Sequence, residues 1–306
     1  MHPRFSLLVL PFTRAEIPKW PHLMNAVSAD WDTCFKGRWQ GQSKVVVRGK
    51  NHGFLMNLDL SDWAQRMTYF LARYYEFGVA RVLELLLRQG DHFVDIGANI
   101  GMITLHARSL VGSSGKIDCF EPNPECIDSL KNNLAINGIR NVVVHECALS
   151  ETSGALTLSL MSEHSGTATL ADVGTSAVHK IVVDVRVGDE VLKQAPRLIK
   201  IDVEGFELQV LKGLRSTLII HKPFVITELI ERQLALAGTS AREMSDYLFS
   251  LNYNAYGIIT RRKNLRSRLV LRPIFPTTDF AGVADVLWIH ADRLGEVPSV
   301  SEVIEL

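Results

Sequence analysis

Neither sign of charge dominates this chain. Lys and Arg together number 33, as do Asp and Glu, so the 306 residues carry a formal net charge of zero. That balance argues against an enzyme gripping nucleic acid through a broad basic face, and no nucleic-acid partner is expected. Cysteine is scarce as well. Cys34, Cys119, Cys126 and Cys147 stand without a C-x-x-C spacing, so no zinc site or disulfide framework is expected and a reducing cytoplasm is the simple reading. No apolar run nears the ~18 residues of a transmembrane helix, so membrane insertion is not expected. The apolar stretch Phe5 to Phe12 is cut by Pro11 and Pro18, carries only Arg4 before it and lacks a small-residue cleavage site, which argues against a secretory leader. Internal repeats and low-complexity segments are missing too.

What the chain does have is a regular α/β rhythm. Residues 1–40 are broken by Pro3, Pro11, Pro18 and Pro21 and supply Trp20, Trp31, Phe35 and Trp39 as aromatic surface for packing on a main domain. Lys44–Arg48 and Gly53–Leu58, joined by Gly49-Lys50-Asn51-His52, predict a hairpin. Ser61-Asp62 reads as a helix start, Tyr69 to Glu76 as one short helix and Val79 to Leu87 as another, stopped by Gly90. Strands are then predicted at 92–96, 116–121 and 142–147, with helices at 101–110 and 124–137 between them. Leu156–Leu160 and Ile181–Val187 flank a small polar loop around His164, a candidate binding element. Strands at 198–202 and 224–228, a helix from 206 to 214 and another capped by Ser240 follow. Two last strands, 254–260 and 283–290, are joined by a segment containing Arg261, Arg262, Lys263, Arg266, Arg268 and Arg272, read as a solvated loop or a grip for a phosphate. Strands alternating with helices over short connections imply a doubly wound, mostly parallel sheet.

The most informative stretch runs from His92 to Gly101: a buried strand, then Gly97-Ala98-Asn99-Ile100-Gly101, then a helix. This layout aims backbone N–H groups and a helix N-terminus at a ligand, and Glu121, twenty residues on, can hold a ribose. A nicotinamide dinucleotide wants G-x-G-x-x-G, but Asn99 replaces the middle glycine, the last glycine is missing too, and Thr104 follows where helix packing wants a small residue. Asp95, just before the turn, would repel a pyrophosphate and attract an ammonium group. The charge logic favours S-adenosylmethionine over NAD.

Asp95-Ile-Gly97-Ala-Asn99-Ile-Gly101, Phe120-Glu121-Pro122-Asn123-Pro124, Asn132-Asn133-Leu134-Ala135-Ile136-Asn137-Gly138 and Lys200-Ile-Asp202-Val-Glu204-Gly205-Phe-Glu207 together resemble the FkbM-type methyltransferase family, over roughly Leu55 to Glu231. Ile103 and Cys126-Ile127 stand where that family often has aromatic residues. The resemblance implies a class I methyltransferase fold with the last strand antiparallel. It also implies S-adenosyl-L-methionine as cofactor, and methylation of a hydroxyl on a sugar, glycan or small natural product. Residues 1–60 then form an N-terminal extension with the hairpin and 61–306 the methyltransferase domain. Asp95, Gly97, Asn99 and Gly101 are expected around the methionine end, Glu121 at the ribose, and Asn123, Cys147 and Ala148 around the adenine. Asp202 either orients the cofactor or joins catalysis. A hydroxyl acceptor needs a base; Glu204, Glu228 and His164 are the candidates, with Glu204 facing the acceptor. These carboxylates could alternatively serve only the dipole of the following helix. Nothing in their spacing requires a metal, and none is expected. The alternatives are a NAD-dependent oxidoreductase and a non-catalytic cofactor-binding module. Oligomeric state is not legible.

Overall fold

The computed structural model describes residues 7–16, 20, 45–160, 168–170, 179–263, 266–276 and 283–297. Trp31, Phe35, Trp39 and His164 lie outside the described residues. A short helix, α1 (Leu10–Arg14), precedes the hairpin of β1 (Val45–Arg48) and β2 (Leu55–Leu58). Next come α2 (Trp63–Leu71), capped as expected by Asp62, and α3 (Phe77–Leu86). The helix expected over Tyr69–Glu76 does not form. Ala72 adopts a left-handed conformation (φ 52°), and the buried Arg73 turns its guanidinium onto Glu16, a tertiary contact that overrides local propensity.

β3 (His92–Ile96), α4 (Met102–Val111), β4 (Lys116–Phe120), α5 (Pro124–Ala135) and β5 (Val142–His145) form two βαβ units with parallel strands. The third strand stops at His145 rather than Cys147, because β6 (Ala148–Ser150) joins a second, four-stranded sheet with β7 (Gly154–Leu160), β8 (Ala168–Thr169) and β9 (His179–Val187). After the short α6 (Gly188–Val191), β10 (Leu198–Ile201) returns to the main sheet. The helix expected over 206–214 forms as α7 (Glu207–Gly213), and a further helix, α8 (Arg215–His221), follows directly. β11 (Phe224–Glu228), a short α9 (Glu231–Leu236) and α10 (Ala241–Ser250) follow; Ser240 caps α10 with Glu243 in the expected box. The chain closes with β12 (Tyr253–Lys263), β13 (Arg266–Ile274) and β14 (Asp285–His290).

The Arg-rich segment is therefore not a loop. It forms the far end of a long antiparallel hairpin, pairing Arg261 with Arg268 and Gly257 with Arg272, and Leu269, Leu271 and Ile274 on its return strand are buried. The main sheet has eight strands in the order β13-β12-β14-β11-β10-β3-β4-β5. β3, β4, β5, β10 and β11 run parallel, and β14 lies antiparallel to β11 and β12. Apolar layers cover both faces: Phe93, Leu105 and Ile117 belong to one, Val94, Ile199, Leu211 and Trp288 to the other. That two-sided burial is why β3 and β10 read as nearly continuous apolar runs.

The β1–β2 hairpin is tied to α5 through side chains. Asn137 and Asn133 accept the N–H groups of Leu55 and Asn57 at 2.7 Å each, and Asn133 also donates to the Ile100 carbonyl. The asparagine run thus joins hairpin, helix and glycine turn.

Candidate functional site

β3 leads on through α4 to β4 on one side, and β10 returns on its other side. In such a sheet, ligands bind at this switch point, beyond the carboxyl ends of the strands. An open cleft lies there. Asp95, Gly97, Asn99, Glu121, Cys147, Ala148, Asp202, Glu204 and Glu228 all line it.

The first half of the site is the β3–β4 edge. Gly97 and Gly101 have φ of 80° and 87°, and Asn99 sits at 49°, a left-handed position that asparagine tolerates better than most side chains. Gly97 also has no room for a side chain: a Cβ would meet the Asp202 carbonyl oxygen at 1.8 Å. Glu121 binds the two strand-end turns together, taking the Asn99 N–H at 2.8 Å on one oxygen and the Asn123 N–H at 2.9 Å on the other. Each oxygen keeps a lone pair for a ligand hydroxyl. Burial pushes the Glu121 carboxyl up to about 7, against the pull of those two N–H groups. Asp95 is fully buried, accepts the Thr104 hydroxyl at 2.6 Å on Oδ2, and leaves Oδ1 without a hydrogen-bond partner among the described residues. A buried orphan carboxylate oxygen at the cleft wall calls for a donor, and an ammonium group fits it. Asn123 is placed differently from its neighbours: its side chain caps α5 through the Glu125 N–H, and it does not line the cleft. Cys147 is buried at the cleft wall, with its thiol pushed up to about 11, chiefly by burial.

The second half is built by strand register. Lys200 pairs with Asp95 across β10 and β3, so Asp202 emerges beside Gly97. Ile201 pairs with Thr227, which sets Glu228 next to Asp202, and Glu228 itself pairs with Asp285 on β14. Glu204 stands in a left-handed turn (φ 56°); its carbonyl accepts the Thr169 hydroxyl at 2.7 Å and its carboxylate accepts Gln233 Nε2. Asp202, Glu204 and Glu228 offer oxygens that lie within 4.8 Å of one another, a spacing a divalent cation could bridge. Burial, then the neighbouring Asp202, pushes Glu204 up to about 9 and Glu228 up to about 11. Asp285 rises to about 8, from burial and then Glu76 and Asp202. The buried Lys200 donates to Asp202 at 2.8 Å. Burial works against its charge, but Asp202, Asp95 and Glu76 outweigh it and hold the amine above its usual range.

Sequence reasoning assigned no role to Glu76, Tyr74, Tyr75, Lys200, Thr104 or Gln233. Tyr74, Tyr75 and Glu76 line the cleft from the turn before α3, where burial and then the Asp202 charge push the Glu76 carboxyl above its usual range. Their only sequence signal is a polar cluster ahead of an amphipathic helix, which is also an ordinary helix start.

A doubly wound, mostly parallel sheet extended by antiparallel strands, and a glycine turn beside carboxylates at its switch point, define a class I methyltransferase fold. The methyltransferase FkbM domain matches residues 95–255, more than half of the chain, and the chain belongs to that family. It is 31% identical over 143 residues to Methyltransferase 1 of Beauveria bassiana, covering 40% of this chain and 57% of that protein. It is 32% identical over 160 residues to Methyltransferase sdnD of Sordaria araneosa, covering 42% of this chain and 61% of that one. The chain therefore spans less than two thirds of either. Hexuronic acid methyltransferase AglP of Haloferax volcanii is 29% identical over 197 residues, covering 61% of this chain and 78% of that protein. The crystal structure of a methyltransferase FkbM from Methylobacillus flagellatus aligns with a TM-score of 0.41 at 18% identity, over 74% of this chain and 53% of the other. Among the described residues, no helix is long and apolar enough to cross a membrane.

Proposed function

We propose that this chain is an S-adenosylmethionine-dependent O-methyltransferase acting on a hydroxyl of a sugar, glycan or small natural product. The observation that carries the reading is the unpartnered Oδ1 of buried Asp95 in the same cleft as Glu204 and Glu228. In this reading Asp95 holds the ammonium of the methionine end, Glu121 the ribose hydroxyls, and Cys147 with Ala148 one wall of the adenine pocket. When bound, the cofactor supplies a methyl group already activated by a sulfonium. The protein's own tasks are to align the acceptor oxygen and to take its proton. Glu204 takes that proton. Glu228 and His164 remain the other candidate bases. No metal is required, since the base and the positioning groups come from the chain itself. The FkbM family supports methyl transfer, and the 29% identity to a hexuronic acid methyltransferase supports a glycosyl acceptor. The buried free thiols Cys119 and Cys147 suit a reducing cytoplasm.

Calorimetric titration with S-adenosylmethionine and with NAD tests the cofactor; binding of NAD alone sinks this reading. Tritiated-methyl labelling of a native extract tests the activity and identifies the acceptor. Cofactor binding with no label in any fraction would favour a non-catalytic binding module.

A further inference from the structure

We propose that Glu207 is a positioning residue that sets the turn from Asp202 to Gly205 and, through it, the direction of the Glu204 carboxylate. The inference rests on the proposed catalytic use of Glu204, but its geometry stands apart from that use. Glu207 opens α7 and is 1% exposed, although it touches no cleft surface. Its Oε1 accepts the N–H groups of Val203 and Gly205, each at 3.1 Å, one on either side of Glu204. Burying a carboxylate this deeply is costly unless it satisfies groups that would otherwise be orphaned. Here the groups satisfied are the two amides of the turn.

The turn needs holding. Glu204 is a non-glycine residue at φ 56°, and Gly205 follows at 103°. The Gly205 backbone packs so closely that a Cβ would lie 2.3 Å from the Gln233 carbonyl oxygen. A left-handed side-chain-bearing residue persists only where its surroundings over-determine it. Thr169 fixes the Glu204 carbonyl and Gln233 its carboxylate, while Glu207 fixes the backbone N–H groups on both flanks. Without that clamp the turn can relax toward ordinary backbone angles, and the Glu204 carboxylate turns away from the acceptor.

Two mild variants separate reach from charge. In Glu207→Gln the amide oxygen still reaches both N–H groups; in Glu207→Asp the charge stays but the side chain is one methylene too short. Amide hydrogen exchange at Val203 and Gly205, S-adenosylmethionine calorimetry and tritiated-methyl transfer to the species labelled by the wild type are measured for each. Glu207→Asp is expected to exchange those amides about tenfold faster and to slow methyl transfer by about tenfold, with cofactor affinity within about threefold of wild type. Glu207→Gln is expected to keep both exchange and rate within about threefold of wild type. Wild-type exchange in Glu207→Asp overturns the proposal, and so does rapid exchange in Glu207→Gln. Failure of the wild type to bind S-adenosylmethionine sinks the methyltransferase reading instead, and the exchange result still decides the role of Glu207.

Discussion

The two walls of the cleft solve opposite problems with the same residue type. At the β3–β4 edge the carboxylates are supplied with donors: Glu121 by two backbone N–H groups, Asp95 by the Thr104 hydroxyl. At the β10–β11–β14 edge, Asp202, Glu204, Glu228 and Asp285 crowd together with Lys200 and Gln233 as the donors named among the described residues. The consequence appears in proton affinity. Glu121 is raised only to about 7, whereas Glu204 reaches about 9 and Glu228 about 11. A carboxylate met by fixed donors stays an acceptor and suits binding. One met by other carboxylates holds a proton and suits proton transfer. The walls join where β3 pairs with β10, and just past that pairing Gly97 lies so close to the Asp202 carbonyl that a Cβ would not fit.

Filling that contact attacks both walls at once. Gly97→Ala puts a Cβ 1.8 Å from backbone at a φ of 80°, and is expected to cost about 3 kcal/mol or more by combining strain with overpacking. Thermal melting and cofactor calorimetry on the variant check it; a wild-type melt would mean the walls are not coupled there. The next largest effect separates them. Asp202→Asn with Glu204→Gln is expected to lower the methyl-transfer rate by about 10²–10⁴-fold while cofactor affinity moves much less. Unchanged turnover would move the base to Glu228 or His164.

The same difference predicts opposite pH trends for rate and stability. Glu204 must lose its proton to act as base, so the rate should climb by about tenfold per pH unit toward about 9 before levelling. Stability runs the other way. Between the ordinary carboxylate range and about 9, the folded state binds more protons at Glu204 than the unfolded chain does, so stability falls as pH rises. A pH–rate profile at saturating cofactor and melting curves from pH 5 to 9 check both. A melting temperature that rises over that window would show that the acidic wall is not protonated.

The first wall was legible because its residues carry their conformation with them. Gly97 and Gly101 announce left-handed backbone, Asn99 tolerates it, and Glu121 follows a strand at the right separation. Asp202 and Glu228 were legible as strand ends. Glu76 and Asp285 were not: Glu76 arrives from the turn before α3, and Asp285 reaches Glu228 only after the chain has run out through β12 and β13 and back. The failed helix at Tyr69–Glu76 has the same origin. Ala72 announces nothing locally, and Arg73 is captured by Glu16, 57 residues earlier in the chain. The Arg-rich segment looked like a loop because its charges masked Leu269 and Leu271, which face the core.

Two smaller effects sharpen the donor-rich wall itself. Asp95→Asn is expected to weaken S-adenosylmethionine by about 10–100-fold and plain adenosine hardly at all, since the lost charge faces only the methionine end. Equal losses for both ligands would move Asp95 away from the ammonium. The smallest effect belongs to Thr104, whose hydroxyl holds Asp95 Oδ2 at 2.6 Å, while the buried Oδ1 has no hydrogen-bond partner among the described residues. Thr104→Val keeps the shape and deletes that donor. Burial already raises the proton affinity of Asp95, and Thr104 is one of the groups opposing the rise, alongside Lys200. Removing the hydroxyl should let the carboxylate rotate and hold its proton more readily. Affinity for S-adenosylmethionine should then fall by about fivefold near neutral pH, with part of the loss recovered as pH rises and Asp95 ionises. A loss that is the same at every pH would mean that Thr104 acts by packing alone, and that Lys200 by itself keeps Asp95 ionised.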